Sequence, residues 1–276
     1  MADKDETDCK RGMITKKIFI FAMLVLFFLV SAAFAKEQRY KQSSTGRFDS
    51  YVLALSWQPA FCETKPDKEE CRTQPPDRYD ATYLALHGLW PNRNTDKKHT
   101  FGFCGVKKSL RKLDNANKWC KMPSPKLTNE TKKDLAQCMP GYASCLERHA
   151  WYKHGTCSGM KADEYFSTSN FLVATFAATA MGHYISANAG SMVYADDLFH
   201  EFEKDFGEGS RDSVKLHCTN VDGANMLVEV RVYLANPIPE EGELKDLLVS
   251  PPVHEKGNCP RTFFIDEAGL SGAPNM

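Results

Sequence analysis

A surplus of charge of either sign is missing from this chain: Lys and Arg number 35, and so do Asp and Glu, in 276 residues. A protein that holds long nucleic acid by releasing counterions carries a clear basic excess. A tight, extended grip on nucleic acid is therefore not expected, and a local pocket for one or two nucleotides fits the composition better. Internal repeats and linker-like stretches are also lacking, as is the strand–helix–strand rhythm of a doubly wound sheet, so a repeat array and a parallel α/β fold are excluded. No acidic cluster suited to magnesium and no His/Cys set suited to zinc accompanies the motifs below, and no metal or other cofactor is expected.

Residues 1–35 read as an export signal. Lys16 and Lys17 form a positive start, Ile18 to Val30 an apolar run, and Ala33-Phe34-Ala35 a small-residue cleavage site before Lys36. Met1 to Gly12 is unusually acidic for such a leader, and Met13 is read as the initiator. The competing reading is an uncleaved anchor, because Ile18 to Ala35 comes close to the ~18 apolar residues that span a membrane. The alanines favour removal, which leaves residues 36–276 as one domain without a stable membrane anchor, periplasmic or secreted, and monomeric. Removal takes away 5 basic and 4 acidic side chains and leaves 30 against 31. The mature chain is long enough to bury a sizeable core.

Two histidine segments carry chemistry: His87-Gly88-Leu89-Trp90-Pro91-Asn92 and His149-Ala150-Trp151-Tyr152-Lys153-His154-Gly155-Thr156-Cys157. Imidazole, with an ordinary pKa of about 6.5, serves near neutral pH as base when neutral and as acid when charged. Two imidazoles and an ammonium are what metal-free RNA cleavage needs: one group to take the proton of the 2′-hydroxyl, one to protonate the departing 5′-oxygen, and Lys153 to hold the charge that builds on the phosphorane.

These segments resemble the two active-site segments of the ribonuclease T2 family, in the same order, and the bacterial branch of that family fits best. Phe48 to Gln58, Cys145-Leu146-Glu147-Arg148 and Asn258-Cys259 extend the resemblance over nearly all of the mature chain. It implies an exported endoribonuclease that cleaves single-stranded RNA by transesterification to 2′,3′-cyclic phosphate ends. His87 and His154 would be the acid–base pair, Lys153 the stabilising cation, His149 a phosphate contact, and Trp90 and Asn92 residues near a base pocket. Two of the last three have an ordinary alternative, Trp90 as packing and His149 as a half-buried hydrogen-bonded ring. The five residues between His149 and His154 place them well apart on a regular helix.

The family usually has a glutamate where this chain has Ala150. On a helix, Glu147, Ala150, Lys153 and His154 share a face, so a side chain at 150 would look at the reacting phosphate. Three accounts compete: a slower enzyme, Glu147 reaching in from one turn earlier, or a weakened protein that binds RNA or nucleotides without cutting. The first is preferred, and Glu147 is expected to serve elsewhere, for example in a salt bridge with Arg148. A phosphodiesterase acting on small nucleotides is a further alternative.

Ten cysteines in an exported chain point to a disulfide framework. Cys9 leaves with the signal. Of the nine left, eight match cysteines of the bacterial branch, and Cys138 is extra. By resemblance and short loop length, Cys62 pairs with Cys71 and Cys218 with Cys259. The other four join the active-site segments, with Cys157 going to Cys104 or Cys120.

The pattern of apolar residues predicts strands over Tyr51 to Trp57, Ala81 to Leu86 (delivering His87 at its end), Val214 to Cys218, Met226 to Tyr233 and Thr262 to Ile265. Helices are expected from Thr128 to Gln137, from about Ser144 to Gly155, from Asp163 to Met181 and from Asp196 to Phe206. The mixture predicts an α+β fold with a central antiparallel sheet and flanking helices, stapled by disulfides. The other histidines, His99, His183, His200, His217 and His254, are expected at the surface or on helix faces.

Overall fold

Alternating and wholly apolar runs become the strands of one six-stranded sheet in the computed structural model, which describes residues 47–72, 74–96, 101–239 and 243–269. The expected export signal lies outside the described residues. The strands are β1 (Ser50–Ser56), β2 (Ala85–Asn92), β3 (Ser191–Tyr194), β4 (Val214–Val221), β5 (Ala224–Ala235) and β6 (Thr262–Ile265). They run in the order β2-β1-β5-β6-β3, with β4 also paired to β5. The principal helices are α1 (Gln58–Thr64), α2 (Lys108–Asn115), α3 (Asn129–Cys138), α4 (Ala162–Ala177), α5 (Ala180–Ala187) and α6 (Ala195–Phe206). The fold is α+β, as expected.

The sheet is mixed rather than wholly antiparallel. β5 meets β6 in parallel through Met226 and Phe264, while its pairings with β1 and β4 are antiparallel. A long connection separates β5 from β6, and only such a connection lets a strand enter beside its predecessor in the same direction.

The strand expected at Ala81 to Leu86 is also shifted. Tyr79–Thr82 form a helical turn, and β2 begins at Ala85 and continues to Asn92, so His87 lies inside the strand and not at its end. Pro91 is tolerated because β2 is an edge strand, where its missing N–H breaks no ladder. Thr128 caps α3 by accepting from the Thr131 N–H (3.2 Å). The helix expected over Asp163 to Met181 divides at Thr179, whose hydroxyl accepts from the Gly182 N–H and starts α5.

The core lies between the helices and the inner sheet face, with Leu53, Leu55, Tyr165, Phe166, Phe202 and Phe263 fully buried. Two long-range bonds pin the site's supports. Tyr165 on α4 donates to the Leu89 carbonyl of β2 (2.6 Å), and Trp57 after β1 donates through Nε1 to the Asp266 carbonyl (2.7 Å). Disulfides Cys62–Cys71, Cys104–Cys157, Cys120–Cys145 and Cys218–Cys259 staple the fold, and Cys138 is free and buried. Loops of these sizes are each worth about 2–4 kcal/mol through the unfolded chain.

Candidate active site

His87 is placed by a bulge. Across β1 and β2, Ala54 faces Gly88 while the next residue, Leu55, faces Leu86, so His87 is the extra residue between them. A bulge bends the strand and re-aims one side chain. Gly88 is required beside it, because a Cβ there would lie 2.5 Å from the Trp90 indole nitrogen. A second bulge, between His217 and Cys218 on β4, leaves Val228 as the extra residue of β5 next to Glu229.

From this bent edge His87 reaches over β1 to Glu229 of β5, and Nδ1 lies 2.5 Å from Oε2. The other Glu229 oxygen accepts from Arg231 Nε (2.6 Å). Burial pushes the Glu229 carboxyl up, but the charges and hydrogen bonds of His87 and Arg231 outweigh it and bring it down to about 2. His217 faces Glu229 directly across the β4–β5 pair. Burial and the Arg231 charge pull that imidazole down to about 4, against the pull of Glu229 and Glu255.

The second segment is not the regular helix expected from Ser144 to Gly155. Pro140–Ser144 form a 3₁₀ turn, Cys145 takes a left-handed conformation, Leu146–His149 are α-helical, Ala150–His154 are wound as a π turn, and Gly155–Cys157 return to 3₁₀. The bonds at its ends give the cause. Cys145 and Cys157 are tied by disulfides to Cys120 and Cys104, and the Lys153 carbonyl accepts from the Phe103 N–H (2.8 Å) instead of continuing an α ladder.

The wider turn changes which side chains meet. His149 and His154 are not held apart, as a regular helix would hold them: their ring centroids are 5.9 Å apart. His149 is hydrogen-bonded through Nδ1 to Asp114 (2.8 Å) and lies against Trp119, at 4.8 Å. His154 stacks on Trp90 at 5.4 Å, and Trp90 meets His87 edge-on at 5.1 Å. One indole thus touches both imidazoles, with the Arg231 guanidinium over its ring. Burial foremost, then the charges of Lys153, His149 and His87, hold His154 well below the ordinary imidazole value. Its Nδ1 is enclosed and has no hydrogen-bond partner among the described residues. Lys153 has no acidic partner among them.

Ala150 does not look into open space. It is 1% exposed and belongs to the core. Glu147 is buried too, bonded to Arg148 Nε (3.2 Å), and its carboxyl is raised by that burial. Arg148 in turn donates to the Cys120 and Met122 carbonyls. Asn92 stands apart, about 16 Å along the strand from His87 at ~3.3 Å per residue. It is buried and its amide donates to Ser50 Oγ (3.4 Å).

Beside His87 opens a cavity of about 260 Å³, lined by Gln58, Lys68, Trp119, His217, Glu229 and Arg231 among others. A larger one of about 680 Å³ beside α4 contains neither His87 nor His154. His217, expected at the surface or on a helix face, lies instead part-buried on strand β4 opposite Glu229, and sequence reasoning missed Glu229 and Arg231. Their signal was faint: charged side chains inside otherwise apolar strand patterns. Among the described residues, no group of three or more His, Cys, Asp and Glu could hold a metal ion.

The disulfide-stapled α+β sheet is the fold of solved ribonuclease-like structures, and comparison with known proteins gives the family. The ribonuclease T2 family model matches residues 48–244, and the chain belongs to that family. It is 34% identical over 241 residues to ribonuclease I of Escherichia coli (strain K12), covering 81% of this chain and 88% of that protein. A ribonuclease of Aeromonas hydrophila is 29% identical over 57% of each chain. Ribonuclease MC1 from bitter gourd seeds superposes with a TM-score of 0.51 at 17% identity, covering 79% of this chain and all of that one. An RNase-related protein from Calystegia sepium superposes at 0.52 and 17%, covering 81% and 100%.

Proposed function

We propose that this protein is an exported, metal-independent endoribonuclease that cleaves RNA through attack of the 2′-hydroxyl on the adjacent phosphate, leaving 2′,3′-cyclic phosphate ends. The observation that carries the reading is the contrast between the two imidazoles that share Trp90. His154, part-buried beside Lys153 with its Nδ1 enclosed, is held well below the ordinary imidazole value, while His87 is bonded to a carboxylate. Titratable groups whose surroundings differ in this way divide the roles of base and acid.

His154 takes the 2′-hydroxyl proton. The freed oxygen attacks phosphorus, Lys153 faces the charge on the phosphorane oxygens, and as the P–O5′ bond breaks His87 protonates O5′. His149, one π turn from His154, is a phosphate contact. The cavity beside His87 has room for one base, which fits a local pocket and the neutral net charge, and mutants of ribonuclease MC1 form complexes with 5′-UMP and 5′-GMP. Four disulfides support export into an oxidising compartment.

The test is incubation of the protein lacking residues 1–35 with single-stranded RNA in EDTA, followed by analysis of the ends. Cyclic phosphate or 3′-phosphate ends support the reading, and 5′-phosphate ends overturn it. Ala150, an enclosed methyl where the family usually has glutamate, favours one alternative, a weakened protein that binds RNA or nucleotides. Retained binding without cleavage would establish that reading.

A further inference from the structure

We infer that Glu229, clamped by Arg231, is the positioning residue that makes His87 the proton donor to the leaving oxygen. The inference rests on the reading of His87 as the acid, and four observations carry it.

The first is distance: the Glu229 carboxylate lies 2.5 Å from His87 Nδ1. A neutral imidazole has one N–H, so a carboxylate on Nδ1 fixes the proton there and leaves Nε2 as the nitrogen that exchanges a proton with substrate. The second is construction. Glu229 and His87 are on strands separated by β1, and they meet only because the bulge at His87 re-aims its ring. The third is the Arg231 clamp. It occupies the second carboxylate oxygen at 2.6 Å, so the carboxylate has one orientation and one free edge. The fourth is that Glu229 stays ionised despite being 8% exposed, since His87 and Arg231 together outweigh its burial. A fixed anion behind Nδ1 is the counter-ion for an imidazolium that must carry a proton into the transition state.

The charged groups around this pair come from every neighbouring element: His217 on β4, Arg231 on β5, Lys68 and Glu70 in the cavity wall, and His149, Lys153 and His154 on the second segment. Glu229 is the one bonded to the ring. During the step the His87 proton passes to O5′ as the P–O5′ bond breaks, and Glu229 remains a carboxylate throughout.

The experiment compares two substrates of the same nucleoside, a uridylyl-uridine dinucleotide and uridine 3′-(4-nitrophenyl phosphate). The nitrophenolate leaves without being protonated, so a defect confined to the acid disappears on it. Glu229→Gln keeps the size of the side chain and removes the charge. It should lower kcat on the dinucleotide on the order of 10²-fold, with KM little changed, and alter nitrophenyl ester cleavage by less than about 3-fold. Equal losses on both substrates, or no loss on either, would overturn the inference. His87→Ala is run in parallel. If it too fails to distinguish the substrates, the reading of His87 as acid is what has failed. Should Glu229→Gln not fold, ¹⁵N spectra of the unmodified protein decide. At high pH, the resonance that His87→Ala removes should report a ring protonated on Nδ1, and a proton on Nε2 would overturn the inference.

Discussion

His149 and His154 stand five residues apart in the chain, yet their rings meet edge to face at 5.9 Å because the backbone between them is wound as a π turn. The turn brings His149 to His154, a pair that a regular helix would have held on different faces. Disulfides at Cys145 and Cys157 and the Phe103–Lys153 hydrogen bond hold it in that form.

Replacing either active-site imidazole should remove most activity and leave the fold intact. His87→Ala and His154→Ala are each expected to lose about 10²–10⁴-fold in cleavage of single-stranded RNA, with circular dichroism unchanged. Near-native turnover in His154→Ala would dismiss the acid–base assignment. With both histidines present the rate should rise and fall with pH as two coupled limbs.

Chelation should not matter if the proposed mechanism holds, because in it two imidazoles and a lysine supply every proton transfer and the charge compensation. Activity in excess EDTA is expected to equal that in buffer. Loss in EDTA followed by recovery with a divalent ion would replace the mechanism.

Cys138 is buried, its thiol bonded to Asn170 Oδ1 (3.1 Å) and pushed up to about 12 by burial. The protein lacking residues 1–35 should therefore show about one thiol per chain when denatured without reductant, and hardly any reaction while native. A count of zero in a monomer would mean a different disulfide pairing.

Asp266 is fully enclosed, and burial together with the nearby Glu63 charge raises its carboxyl to about 7. A raised carboxyl contributes stability in its protonated form, fully present below the unfolded value of about 3.9 and lost as pH rises through 7. Asp266→Asn, which never ionises, should thus stabilise the protein by about 2–4 kcal/mol at pH 8 and by much less at pH 5. Denaturant unfolding at the two pH values measures the difference, and an equal effect at both would refute the assignment.

Ala150→Glu places a carboxyl in the core, four residues before the enclosed and unpartnered Nδ1 of His154. Thermal stability should fall by about 1–3 kcal/mol, since a buried polar group must find a partner. Cleavage should rise, chiefly in kcat, as the carboxyl orients His154. A fall in both would show that this active site is built around the methyl group.

The candidates His87, Lys153 and His154 were legible in the sequence because each lies in a short contiguous motif of distinctive residue types, and the fold brings both imidazoles onto Trp90. The strands of the late chain, the Thr128 cap and the leftover Cys138 were legible for similar local reasons: alternation, capping chemistry and an odd cysteine. Glu229 was not, since its meaning depends on a contact 142 residues away across an intervening strand. Neither was the true place of His87, because a bulge is one unpaired residue and alters no apolar pattern. The burial of Ala150 and the meeting of His149 with His154 were hidden by the assumption of 3.6 residues per turn.

The chain's local chemistry thus determined the α+β class of fold, the family and the two histidine motifs, each carried by residues close together in the chain. Only the tertiary structure decided the orientation of His87, the neutrality of His154 and the clamp on Glu229, because electrostatics and hydrogen bonding act through space and depend on which strands lie side by side.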